Sequence, residues 1–311
     1  MKHPGFKFGL LAVFCVLLGI SAASAALVPL DNFKSASAGT GGVTFASASS
    51  ANDNYPISVD QAKDSIRLFV GDLTIDPLLF GTGSMPIGNY YYFTVNNSLF
   101  YVNQNSGIVE FALLEENAPD SDIVNFNRDQ AYAKATEFAQ KKYDGFASTS
   151  WKLVTDKLIE ETNWRFNATS QQGEEYLVKT YEFTLREEKS RVLTPNLIHV
   201  HVNPATGMVS EWTGVSRLIT VSLTPATTLS EATQVAGDYY ADEINIDHID
   251  GYLAVVIRSQ NVENLAWVVT VKGTYKWNNQ YEASEMAIVD AQTGTIIGRS
   301  WDDIWPERSY R

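Results

Sequence analysis

The chain carries four histidines, His3, His199, His201 and His248, and none opens a His-Glu-x-x-His motif. His199 and His201 flank Val200 in Ile198-His-Val-His-Val202. On a strand both imidazoles therefore project from one face. Two imidazoles at i, i+2 converge well enough to hold a divalent ion of the zinc type. The competing reading is a solvated sheet face whose other side, Ile198, Val200 and Val202, fills the core. Leu197 falls on the histidine side, and no third ligand is legible. The expectation is therefore no metal and no cofactor, with His199 and His201 as the metal candidates.

The remaining chemistry-bearing residue types form no set. Gly81-Thr-Gly-Ser-Met-Pro-Ile-Gly88 lacks the Lys-Ser/Thr of a phosphate loop and leads into a strand, so it reads as a hairpin or entry loop. Gly214-Val-Ser216 lacks the second glycine of a nucleophile elbow. Asn245 to Gly251, with Asp247 and Asp250, lacks the spacing of a calcium loop. Trp301 and Trp305 stand four apart and are expected to pack back on the last folded unit rather than to serve as an exposed anchor. No nucleophile–base pair emerges, so no residue is assigned a catalytic role and the chain is not expected to be an enzyme.

The elements that position these residues follow from composition and repetition. Of 311 residues, 45% are hydrophobic, which excludes a disordered or fibrous chain. Acidic residues outnumber basic ones 36 to 23, for a formal charge of −13, so nucleic acid is excluded as a partner. At the N-terminus Lys2 and Lys7 precede the apolar run Phe8 to Ile20, and Ala23-Ser24-Ala25 follows. This is the pattern of a secretory signal, placed at 1–25. The alternative is an uncleaved anchor, which is the only route by which the sequence meets a membrane. The one cysteine, Cys15, lies inside the apolar run, so cleavage leaves no disulfide and no thiolate ligand. A Ser/Ala/Gly-rich tether is expected over 26–56. Asn96-Asn97-Ser98 and Asn167-Ala168-Thr169 match glycosylation sequons.

Three segments then open alike. Ser58, Asn127 and Thr228 each stand three residues before Gln61, Gln130 or Glu231, the spacing of a capping box. Each helix continues with an apolar stripe: Ala62, Ile66, Phe69; Ala131, Ala135, Phe138; Ala232, Ala236, Tyr239. Alternating strands follow, with Tyr91, Phe93 and Val95, then Tyr181, Phe183 and Leu185, then Trp267, Val269 and Val271 on one face. Thr94, Thr184 and Thr270 fall on the opposite face. Each segment closes with an Asn/Asp-initiated turn ending at Gly107, Gly207 or Gly294, and a short apolar strand through Val109, Val209 or Ile296. The second segment adds Trp151 to Phe166, read as an extra strand pair, and a long hairpin tip over Glu187 to Pro195. The third has a similar tip from Gly273 to Glu285. Glu115 to Asp120 and Thr224-Pro225 read as links between segments.

This order of helix, alternating strand and valine-rich strand ending in Asn/Asp-x-x-Ser/Thr-Gly resembles the PepSY domain, found in propeptides of thermolysin-type metallopeptidases and in cell-envelope proteins. The expected fold class is α+β, with three tandem PepSY-like units, each an α-helix packed on an antiparallel β-sheet, at 57–117, 127–217 and 228–300, and a tail at 301–311. The resemblance implies a secreted or cell-surface protein that is not catalytic, has a protein partner, and regulates or inhibits an extracytoplasmic peptidase in trans. The alternative is a structural or adhesive envelope component without effect on proteolysis. Nothing in the sequence sets an oligomeric state.

Overall fold

In the computed structural model the described residues are 56–167, 172–258, 262–300 and 303–306. The signal at 1–25, all of the tether but Pro56, Ala168 and Thr169 of the second sequon, and Trp301 lie outside them. Helix α1 (Val59–Val70) precedes β1 (Leu78–Met85), β2 (Gly88–Val95), β3 (Ser98–Asn103) and β4 (Val109–Leu113). Helix α2 (Arg128–Lys142) precedes β5 (Trp151–Asn167), β6 (Gln172–Lys189), β7 (Val192–Val202) and β8 (Val209–Val215). Helix α3 (Leu229–Tyr240) precedes β9 (Ile244–Ile257), β10 (Glu263–Tyr275), β11 (Asn278–Asp290) and β12 (Ile296–Gly298). The fold is mixed α+β and mostly sheet.

Each helix starts where local chemistry starts it. Ser58 Oγ accepts from Gln61 N at 3.2 Å while Gln61 Oε1 accepts from Ser58 N at 2.8 Å. Asn127 with Gln130 and Thr228 with Glu231 form the same reciprocal box. Two otherwise orphaned amides are satisfied at each helix end. The closing turns are equally local. Gly107, Gly207 and Gly294 sit at φ of 74°, 71° and 72°. The residue before each cap is tied to the turn: Ile57 N donates to Gln104 O at 2.7 Å, Phe126 N to Pro204 O at 2.9 Å and Thr227 N to Ala291 O at 3.0 Å. The cap and the turn, distant in sequence, are thus neighbours in space.

The expectation of three tandem units, each with its own sheet, is corrected. All twelve strands belong to one sheet. Strand β4 pairs antiparallel with β8, with Phe111 opposite Thr213 and Leu113 opposite Glu211, and β7 meets β9 in parallel at Leu193 and Ala254. An open strand edge presents unpaired N–H and C=O groups, and here those edges satisfy one another. Helices α1 and α2 cover one continuous core, in which the Phe69 ring lies 5.9 Å from Phe138 and 6.4 Å from Trp212. Phe93, Phe100, Phe183 and Trp212 are its largest fully buried side chains. Each such burial stabilises the fold by about 1.5–3 kcal/mol. Helix α3 covers a separate cluster with Val269, Val271, Ala287 and Val289. Its terminal core aromatic is Tyr240, not Tyr239, whose exposed ring takes the Arg299 guanidinium at 5.5 Å.

Two further local expectations are corrected. Trp151 to Phe166 is not a strand pair but part of the single long strand β5, which pairs along β6. The segment Glu187 to Pro195 is not a projecting tip. Ser190 and Arg191, both at positive φ, make a tight turn, and Val192, Leu193, Thr194 and Asn196 beyond it are buried. Pairing of Leu193 with β9 explains that burial. Gly81 to Gly88 is the β1–β2 hairpin, and Asn245 to Gly251 is strand. Trp305 exchanges both backbone hydrogen bonds with Ile257 at 2.8 and 2.9 Å and is buried, so it packs back on β9.

Candidate functional site

Strand β7 sits between β6 and β8, and its alternation decides what each face holds. Ile198, Val200 and Val202 are buried in the core beneath α1 and α2. The opposite face carries Leu197, His199 and His201. The closing turn at Asn203 to Gly207 sets the β7–β8 register, which places Glu211 opposite His201 and Thr213 opposite His199. Strand β6 places Glu182 opposite His201 and Thr184 opposite His199 on the other side. The two histidines therefore stand in the middle of a polar patch three strands wide.

Within it, His199 Nε2 and His201 Nε2 face each other at 3.1 Å. The other nitrogen of each ring has its own partner. Thr184 Oγ1 is 2.8 Å from His199 Nδ1, and Glu211 Oε2 is 3.3 Å from His201 Nδ1. Lys157 on β5 reaches Glu182 at 3.1 Å. One ligand atom from each of His199, His201 and Glu211 can be chosen so that all lie within 4.8 Å of one another. Among the described residues no other group of three His, Cys, Asp or Glu side chains is so placed.

The electrostatics follow from burial. Desolvation holds the His199 imidazole well below its usual range, and the nearby His201 and Lys157 charges push the same way. Burial also raises the Glu211 carboxyl; His201 opposes this, while Glu182 and Glu161 add to it. A neutral imidazole is the form that offers a lone pair to an ion. The solvated-face reading of this side is thus corrected in part: Thr184 and Leu197 are fully buried, while His199, His201, Glu211 and Thr213 are half-buried. Strand spacing located the two histidines, but Glu211 was missed. Counting outward from the Asn203–Gly207 turn would have found it.

The other singled-out residues do structural work. Ser58, Gln61, Asn127, Gln130, Thr228 and Glu231 are helix caps, and Gly107, Gly207 and Gly294 close turns. His248 lies exposed on β9, with Nε2 3.3 Å from Asp250. Gly214 faces the Trp212 indole, where a Cβ would come within 2.4 Å of Cζ2. That contact, and not a catalytic turn, accounts for the glycine.

No family model matches the chain, and no curated protein sequence does. Among solved structures it is similar to the Bacillus megaterium YpeB C-terminal domain, at 18% identity over 79% of this chain and 98% of that one, with a TM-score of 0.41. It is also similar to an uncharacterized protein from Eubacterium rectale, at 12% identity over 78% of this chain and 82% of that one, with a TM-score of 0.41. Likenesses of this size do not bear on function.

Proposed function

We propose that the chain is a non-catalytic binding protein of the cell exterior, made of three PepSY-like units over 57–117, 127–217 and 228–300, that regulates a peptidase in trans. The location rests on the signal-like N-terminus. The unit reading rests on the threefold recurrence of a capped helix, four strands and a turn glycine in one order. The observation that carries the binding role is the β10–β11 tip. Trp277 is 70% exposed and Tyr281 57% exposed, although their rings stack at 5.3 Å, with Tyr275 a further 5.5 Å from Trp277. Rigid, pre-ordered aromatics standing in solvent are the residue type that anchors protein interfaces.

The test is to titrate the purified chain into the extracellular and envelope peptidases of its source and follow their activity. A stoichiometric change in activity is expected, and it should vanish in W277S/Y281S while the melting temperature stays unchanged. Retention of envelope polymers alone, with proteolysis untouched, would replace this reading with a structural one.

A further inference from the structure

We infer that His199 and His201, with Glu211 as the carboxylate that supports His201, form a binding site for a divalent transition metal of the zinc class. The inference stands apart from the peptidase reading and uses none of its observations.

The geometry comes first. Two nitrogens each about 2.0–2.1 Å from a tetrahedral ion stand roughly 3.3 Å apart. His199 Nε2 and His201 Nε2 stand 3.1 Å apart and face each other. Each ring is held at its far nitrogen, by Thr184 at 2.8 Å and by Glu211 at 3.3 Å. Holding Nδ1 is how metal-binding imidazoles are oriented and made more basic. A carboxylate on one of them is the strongest form of that support.

Without an ion the same atoms form one consistent hydrogen-bond chain. In the tautomer that satisfies both contacts the Thr184 hydroxyl donates to His199 Nδ1 and His199 Nε2–H to His201 Nε2, while His201 Nδ1 stands 3.3 Å from Glu211 as an ion-pair contact. A single proton then occupies the point an ion would take. On binding, that proton moves from Nε2 of His199 to its Nδ1, and the Thr184 hydroxyl rotates to accept it. No proton is lost on balance.

Charge selects a cation. Glu182 is balanced by Lys157 at 3.1 Å, whereas among the described residues only His201 lies within ion-pair reach of Glu211. A dication held by both imidazole lone pairs places its charge one ring away from that carboxylate, which then supports the His201 ligand instead of standing unbalanced. A pair of imidazoles suits zinc and its neighbours, while magnesium and calcium take oxygen ligands. The partial exposure of His201 and Glu211 leaves an entry path and room for waters as the remaining ligands.

The purified full chain, stripped with a chelator and dialysed, is titrated with zinc chloride by calorimetry and by thermal melting, with magnesium chloride in parallel. A saturable step at one equivalent is expected with zinc and not with magnesium, accompanied by a higher melting temperature. His201→Gln should abolish the step. Glu211→Gln should weaken it about 10–100-fold, the usual effect of losing a supporting carboxylate, and it serves as the test if His201→Gln does not fold. Absence of a one-equivalent step overturns the site, and a step that both folded variants retain at full affinity overturns it too, by assigning zinc uptake to scattered surface carboxylates.

Discussion

The Phe126 ring lies directly against Gly207: a Cβ added to that glycine would come within 2.7 Å of both Cε1 and Cζ. Phe126 immediately precedes the N-cap of α2, so this contact fixes the entry of a helix against the turn that closes the β7–β8 hairpin. At the equivalent positions Gly107 has Ile57 at 3.4 Å and Gly294 has Thr227 at 3.4 Å, both looser. All three glycines share the same left-handed backbone, whose cost for a side chain is of order 1–2 kcal/mol. Gly207→Ala must in addition displace a ring. It should therefore destabilise more than Gly107→Ala or Gly294→Ala, and denaturant midpoints of the three variants measure the difference. Equal losses would mean that backbone strain alone is at stake.

What could be read from the residues divides along the range of the forces involved. Caps and turns need only neighbours three to five positions away, so Ser58 with Gln61 and Asn203 with Gly207 are visible in the string. Strand faces are visible for the same reason, and Thr184 falls on the histidine side by simple alternation. The joining of β4 to β8 is not visible. Either edge could equally have faced water, and the choice is made by packing Phe69 of α1 on Phe138 of α2 and Trp212 of β8. The short turn at Ser190 and Arg191 fails for a related reason: its polar residues suggest a longer projecting loop, but Leu193, just beyond it, is buried against β9. Glu211 is an intermediate case, local to the hairpin but ten residues along the chain from His201.

Arg217 supplies a second lock between distant segments. Its guanidinium forks onto Glu110 of β4, with Nη1 2.5 Å from Oε1 and Nη2 2.7 Å from Oε2. It also donates to the Ile87 carbonyl at 2.8 and 3.1 Å, and Tyr90 donates its hydroxyl to the same Glu110 at 2.5 Å. Glu110 is almost wholly buried. Removing one member of such a pair strands the other charge, at a cost of about 3–5 kcal/mol. Arg217→Met should therefore lower stability by that amount in urea melts. The double variant E110L/R217M should recover much of the loss, because no buried charge is left unpaired. If the double variant is as unstable as the single one, the hydrogen bonds to Ile87 and Tyr90 carry the lock and the ion pair does not.

The helix caps offer a graded test, because the three boxes differ in chemistry while sharing one geometry. Replacing Asn127 by Ala removes the acceptor for the Gln130 amide at 2.9 Å, and replacing Thr228 removes that for the Glu231 amide at 3.2 Å. Each should cost about 1 kcal/mol. At the third helix the anionic Glu231 also accepts from the Thr228 amide at 2.7 Å, and this bond holds its carboxyl below the usual range. A depressed carboxyl stabilises the fold above its unfolded value and loses that contribution as pH falls through its folded value. Glu231→Gln should therefore flatten the acid limb of the stability curve, whereas Gln130→Glu should steepen it. Parallel acid limbs in all the proteins would show that the caps carry no pH-dependent part of the stability.

Tyr143 contributes to the alkaline side, alongside Tyr90 and Tyr240, whose phenols burial also raises. The Tyr143 hydroxyl is buried and donates to the Val215 carbonyl at 3.1 Å, joining the end of α2 to the end of β8. Burial is the main force that pushes this phenol from 10.0 up to about 12, with Glu187 and Glu110 acting in the same direction and Ser216 and Arg217 opposing. In the unfolded chain the phenol ionises near its ordinary value; in the folded chain it keeps its proton longer. The folded state then binds more protons between those two values, so stability falls as pH rises through that window and is unaffected below it. Tyr143→Phe removes this source of alkaline sensitivity at the price of one hydrogen bond. Its unfolding free energy should lie below that of the unaltered chain at neutral pH and fall less steeply above pH 10.0, the ordinary phenol value. Denaturant titrations at neutral pH and on either side of that value measure both slopes. Identical slopes would show that Tyr143 reaches solvent and ionises without unfolding the chain.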